Sequence, residues 1–208
     1  MEIITLTGKI KLLSGLHIGG GDDTMKIGGI DNGIIKTTNG NKPYIPGSSL
    51  KGKMRSLLEW NFRLVNYGDG NPFHSGLLNK IPEPDKKDAL NLLKLFGNGK
   101  SDDSFEEITR VSFGDCQVIE NGMKLTEGKW ENSINRIKGT ASNPRQTERV
   151  PAGVEFEFDI RVKVLDNDSE EEFKKIIEKG LELIELDYLG GNGSRGYGRV
   201  KFIDKQWS

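Results

Sequence analysis

Apolar and polar residues alternate along two stretches of the chain. Ile4, Leu6, Ile10 and Leu12 fall on one parity between positions 3 and 13, with Thr5, Thr7, Lys9 and Lys11 on the other, which is the period of a half-buried strand. Val154, Phe156, Phe158, Ile160, Val162 and Val164 alternate with Glu155, Glu157, Asp159, Arg161 and Lys163 and predict the clearest strand of the molecule. After Pro46 the pattern becomes helical: Leu50, Met54, Leu57, Leu58 and Asn61 share one face, predicting a helix over about 49–62 with Ser48 and Ser49 as N-cap candidates. Ser169 and Glu172 form a capping box ahead of Phe173, Ile176, Ile177, Leu181 and Ile184, predicting a second amphipathic helix. A short helix through Ala89, Leu92, Leu93 and Phe96, and strands at 110–119 and 199–203, complete the set.

Between these elements lie a glycine-rich loop from Gly15 to about Tyr44, an insertion over 66–108, and an arm over about 120–151 with weak periodicity. An arm of that length exceeds an ordinary connection and points to a functional projection. The order strand, loop, helix, insertion, strand, arm, strand, helix, glycine loop, strand fits an α+β fold. It matches the β-α-β-β-α-β ferredoxin-like, or RRM-like, sheet in a single domain over 1–208. Topology alone does not establish RNA binding.

The 208 residues carry one cysteine, Cys116. That excludes an internal disulfide and a thiolate zinc cage and fits a reducing compartment. The N-terminus lacks a signal-type apolar region, and no run approaches the roughly 20 apolar residues of a membrane span; a cytoplasmic protein without a membrane partner is the expectation. Net charge is −1, yet the charges are segregated. From Lys9 to Arg55 eight Lys/Arg face three acids, and from Asn132 to Pro151 four basic residues face only Glu148, whereas Leu165–Tyr188 holds nine acids and three lysines. The two basic runs lie in or beside glycine-rich, non-periodic sequence, as a polyanion-binding surface would.

Individual motifs narrow the chemistry. Gly191-Asn-Gly193-Ser-Arg195-Gly196 spells GxGxxG but follows a helix and opens a strand, the reverse of a dinucleotide site. It is either a plain helix-to-strand loop or a backbone anion cradle to which Arg195 adds charge. Gly47-Ser48-Ser49-Leu-Lys51-Gly-Lys53 nearly spells a P-loop, but Met54 stands where a hydroxyl must hold Mg²⁺. What survives is a helix start with Ser48, Ser49, Lys51, Lys53 and Arg55, either solvated or seating polymer phosphates near the glycine loops. Asp31 follows Gly28-Gly29-Ile30 and either shapes an Asx-turn or recruits Mg²⁺ to a phosphodiester it would otherwise repel. His17 is a candidate base or stacking residue. Its only fellow histidine, His74, lies in the insertion, and no GxSxG elbow occurs.

Taken in order, GLHIGGG, IGGID, PYIPGSSLKGKMRSLLE, NRIKGTASNPRQTERVPAG and GGNGSRGYGRV resemble the RAMP superfamily, in particular the repeated backbone subunit of type III-A CRISPR (Csm) effector complexes. The resemblance covers nearly the whole chain. It implies a ferredoxin-like palm with a lid insertion and a β-hairpin thumb, copies of which stack along a CRISPR guide RNA with other Csm subunits and cleave complementary single-stranded target RNA. By the same resemblance Asp31 is the catalytic, Mg²⁺-binding residue. His17, Ser48, Ser49, Lys51, Lys53, Arg55, Arg136, Arg145, Arg149, Gly191, Gly193 and Arg195 are then the RNA-binding set. One departure is visible, Gly33 where many relatives carry proline. A non-catalytic RNA-binding scaffold and a metal-independent guide-processing endoribonuclease are the competing readings.

Overall fold

The computed structural model describes residues 1–20, 32–99 and 108–208. In chain order its elements are β1 (Glu2–Leu12), β2 (Tyr44–Ile45), α1 (Gly47–Asn61), 3₁₀ turns at Leu64–Tyr67 and Ser75–Lys80, α2 (Glu83–Phe96), β3 (Val111–Phe113), β4 (Cys116–Gln117), β5 (Glu127–Ile134), β6 (Ala141–Arg149), β7 (Glu155–Val164), α3 (Glu170–Leu186), a 3₁₀ turn at Gly193–Arg195, and β8 (Val200–Trp207). Four strands form the main sheet in the order β3-β7-β1-β8, all antiparallel. Taken as the four strands of the fold, that is the ferredoxin-like order 2-3-1-4.

The alternation of β1 and β7 does what the pattern predicts. Ile4↔Val162, Leu6↔Ile160 and Ile10↔Phe156 face one another across the ladder, and all six side chains are buried. Over them lie Leu50, Met54 and Leu58 of α1, Leu92, Leu93 and Phe96 of α2, and Phe173, Ile177, Leu181 and Ile184 of α3, joined in one core. The insertion therefore contributes a helix to that core. Ser169 Oγ accepts from Glu172 N–H at 3.4 Å, the first half of the expected capping box.

Three expectations change. Ser48 and Ser49 are not caps: α1 starts at Gly47 with no side-chain cap, and the Gly47 N–H is taken instead by Asp115 Oδ1 at 2.8 Å, an acceptor that local sequence does not supply. The strand expected over 110–119 is two short strands, because its register against β7 breaks after Phe113, where Cys116–Gln117 pair with β2, and resumes at Val118, which bridges Phe156. The last strand runs on to Trp207, where Leu6 pairs with it.

The arm at 120–151 is a hairpin, β5 paired to β6, with a bulge between Glu131 and Ser133 and a turn around Asn135–Thr140. Almost every side chain near its tip is exposed, Ile137 to 95%. The outer part of the hairpin, with no buried face, cannot alternate apolar with polar residues, hence its weak periodicity.

Candidate nucleic-acid interface

Three segments distant in sequence meet at the base of the hairpin. Leu16 and Val150 exchange backbone hydrogen bonds at 2.9 and 2.8 Å, Gly191 N–H donates to His17 O at 2.8 Å, and Gly198 N–H to Gly15 O at 2.9 Å. The 15–19 segment is thus a strip with β6 on one side and the glycine loop on the other. Ile35 N–H donates to Ile18 O at 2.8 Å, bringing the 32–36 segment in as well. Gly198 has φ +74°, and a Cβ there would overlap the Leu189 carbonyl, so the loop closes only with glycine at that position.

Glu148 organises this junction. Its backbone N–H donates to Asn32 O at 2.9 Å. Its carbonyl contacts His17 Nδ1 at 2.8 Å, so Nδ1 carries the proton, a carbonyl being only an acceptor. The largely buried carboxylate accepts from Ile34 N–H at 3.1 Å and from Lys36 Nζ at 2.5 Å. Asp31 lies outside the described residues; its chain neighbour Asn32 forms a parallel bridge with Thr147 of β6.

A second cluster sits where the hairpin meets the glycine loop. Glu131 of β5 is approached by Lys129 Nζ at 3.3 Å, Arg145 Nη2 at 3.5 Å and Arg195 Nε at 3.1 Å, and Tyr197 Oη donates to it at 3.2 Å. Arg149 pairs with Glu127 at 2.7 Å, and its guanidinium and the Lys129 ammonium both lie over the buried Tyr197 ring. A Cβ on Gly15 would lie 2.5 Å from Arg149 Cδ.

The expected RNA-binding residues thus divide. His17, Arg145, Arg149, Gly191, Gly193 and Arg195 come together at this seam. Lys53 joins them through α3: it pairs with Asp187 at 2.7 Å and stands 3.9 Å over Tyr188, the ring against which Gly193 packs. Lys51 is half-buried, and no carboxylate among the described residues pairs with it. Burial, and secondarily the Arg55 charge, hold its ammonium below the ordinary lysine range. Ser48 and Ser49 lie in the first turn of α1 beside it, and Arg136 is exposed at the hairpin tip.

Arg55 departs from the expected placement near the glycine loops. Its guanidinium donates to Glu59 at 2.8 Å and to the Phe73 and Phe96 carbonyls at 2.7 and 3.4 Å, which ties the insertion to α1. Cys116 is no nucleophile, since burial, with Asp159 and Asp115 nearby, pushes its thiol up to about 12. Lys129, Glu131, Tyr197, Lys36 and Glu148 were missed by sequence reasoning. The one local signal was Lys129 and Glu131 on the same parity of a strand; their partners lie on other segments.

A ferredoxin-like palm carrying a hairpin thumb and glycine-rich loops at its base defines a class. The RAMP superfamily model matches residues 9–201, and the chain belongs to that superfamily. Within it the relatives are Csm3 proteins. The chain is 42% identical to the CRISPR system Cms endoribonuclease Csm3 of Streptococcus thermophilus, over 96% of this chain and 86% of that one. To the protein of the same name from Methanocaldococcus jannaschii it is 41% identical, over 98% and 82%. Among solved structures it resembles a chain of the Csm3-Csm4 subcomplex of the type III-A CRISPR-Cas interference complex, with a TM-score of 0.61 and 29% identity over 99% of this chain and 77% of that one.

Proposed function

We propose that this chain is a guide-RNA-binding filament subunit of a type III-A CRISPR interference complex, assembled with further copies of itself and other Csm subunits, that cleaves complementary single-stranded target RNA with a divalent metal ion. The observation that carries this reading is the roughly 40% identity to Csm3 endoribonucleases over nearly the full chain. The seam supports it by gathering cations from the hairpin and the glycine loop at one place.

In this reading the thumb unstacks a target nucleotide, so that its 2′-hydroxyl reaches in-line geometry against the adjacent phosphorus. The 15–19 strip, the 32–36 segment and the hairpin base hold the surrounding backbone, with Glu148 as their common anchor. His17 keeps its Nδ1 proton on the Glu148 carbonyl and in the neutral ring presents Nε2 as an acceptor.

Among the described residues no three His, Cys, Asp or Glu side chains form a metal-holding group, and the Glu148 carboxylate is already engaged. Asp31 would supply a carboxylate to a divalent ion that also takes RNA oxygens and water, a usual arrangement for Mg²⁺ on phosphates. Bound there, Mg²⁺ would neutralise charge on the reacting phosphate. The reading makes the protein cytoplasmic, and no helix among the described residues is long and apolar enough to cross a membrane.

The test is cleavage of a guide-complementary RNA by the assembled complex. Asp31→Ala is expected to abolish cutting while leaving assembly and target binding intact, and EDTA or a single 2′-deoxy substitution at the cleavage position to do the same. Undiminished cutting by Asp31→Ala would overturn the catalytic assignment and favour the scaffold reading.

A further inference from the structure

Glu131 is surrounded by more positive charge than it can neutralise. Lys129, Arg145 and Arg195 converge on one carboxylate that is only 10% exposed, whereas each of the three cations keeps a third to a half of its side chain in solvent. Burial works against the ionised form. Hydrogen bonds from Lys129 and Tyr197 and the charge of Arg195 nevertheless hold the carboxyl below the ordinary range. Tyr197 stays a neutral donor, its hydroxyl pushed up by burial and then by Glu131 itself. Three cations and one hydroxyl around two anionic oxygens form the donor set that binds a phosphodiester.

We propose that Lys129, Arg145, Arg195 and the Tyr197 hydroxyl form a phosphodiester seat at the junction of thumb and glycine loop, and that Glu131 fills it until an RNA phosphate displaces its carboxylate. This rests on the RNA-binding reading above and adds to it a named subsite and an internal competitor. Glu131 and Lys129 belong to β5, Arg145 to β6, and Arg195 and Tyr197 to the glycine loop. The carboxylate therefore also latches the hairpin to the palm. In the free protein it keeps the cations gathered and the thumb fixed. When a phosphate takes its place, the cations are neutralised by the polymer and the direct tie between hairpin and loop is exchanged for one through RNA.

The full chain and its Glu131→Gln variant, which keeps the side-chain shape and loses the charge, are titrated with a uridine-only RNA oligonucleotide by fluorescence anisotropy over a salt series. The variant is expected to bind more tightly, on the order of tenfold at low salt and less as salt screens the difference. Because that gain shrinks as salt rises, its plot of log K against log salt should be the steeper of the two. Equal or weaker binding by a variant that melts cooperatively refutes the competitor. Failure of the wild-type chain to bind at low salt refutes the RNA-binding reading itself. A second measurement needs no variant: acetylation of Lys129 in the wild-type chain should fall several-fold at saturating RNA, its ammonium being held by a phosphate oxygen. Unchanged reactivity would refute the seat.

Discussion

Asp168 shows how a single residue can hold the insertion to the palm. Its carboxylate is 1% exposed and accepts from Arg110 Nε at 2.8 Å, from Lys94 Nζ at 3.2 Å and from the Leu165 N–H at 3.1 Å, so one side chain joins α2, the approach to β3 and the turn into α3. Burial opposes its charge, but Arg110, Leu165 and Lys94 outweigh burial and depress the carboxyl. A depressed carboxylate contributes stability that is present above its unfolded value and is lost as pH falls through its folded value. Asp168→Asn is therefore expected to cost about 3 kcal/mol in urea unfolding at neutral pH, as when one partner of a buried ion pair is removed. The gap from wild type should narrow below the ordinary aspartate value of 3.8. A gap of the same size at about pH 2.5 would show that the network is held by shape rather than charge. None of this was legible in the sequence, where Asp168 belongs to an acidic run and Arg110 merely opens a strand. Ion pairs between distant segments leave no local pattern.

At the scale of elements, the strands and helices with one buried face were legible because burial imposes a period on them, as in β1, β7 and α3. The hairpin and the loops at its base were legible only as glycine and charge without a period, and the direction of Arg55 not at all. The packing of α1 on α3 rests on another feature that composition hides. Gly180, in the middle of α3, faces Met54, and a Cβ there would lie 2.5 Å from Met54 Cγ and 2.8 Å from its sulfur. Alanine is the better helix former by about 1 kcal/mol, yet overpacking a filled core costs roughly 1–3 kcal/mol. Gly180→Ala should thus be neutral to destabilising by up to about 2 kcal/mol, and should offset part of the loss caused by Met54→Ala when the two are combined. Strictly additive losses in a denaturant double-mutant cycle would contradict this packing. The hairpin tip behaves in the opposite way. Replacing residues 133–142 by a two-residue turn removes no core side chain, so the melting temperature should stay within about 2 °C, while ordered cleavage of target RNA by the assembled complex is lost.

The molecule as a whole separates its two sheet faces. One is covered by the three helices. The other presents Thr5, Thr7, Lys9 and Lys11 of β1 beside Glu155, Glu157, Asp159, Arg161 and Lys163 of β7. RNA-recognition sheets of this topology stack bases on aromatic side chains of that face, but these two strands present none there. Three of their four cations are also paired within the face, Lys9 with Asp204 at 2.8 Å, Lys11 with Glu155 at 3.5 Å and Arg161 with Asp159 at 3.1 Å. Lys51, which no described carboxylate pairs with, and the Glu131 cluster lie off this face, at the start of α1 and at the hairpin seam. On the RNA-binding reading proposed above, the fold keeps the RRM-like strand order while its polyanion track runs along the loops instead of the sheet surface. Reversing Lys9, Lys11 and Arg161 together to glutamate should then change affinity for single-stranded RNA by no more than about threefold at roughly 0.15 M salt, because charges farther than roughly 8 Å from the polymer are screened. Lys51→Ala combined with Arg136→Ala should weaken every sequence alike and flatten the salt slope by about 0.7 for each phosphate that is no longer neutralised. Should the sheet-face reversal prove the more damaging of the two in anisotropy titrations of the full chain, the RNA runs over the sheet, and the loops and hairpin serve only to cover it.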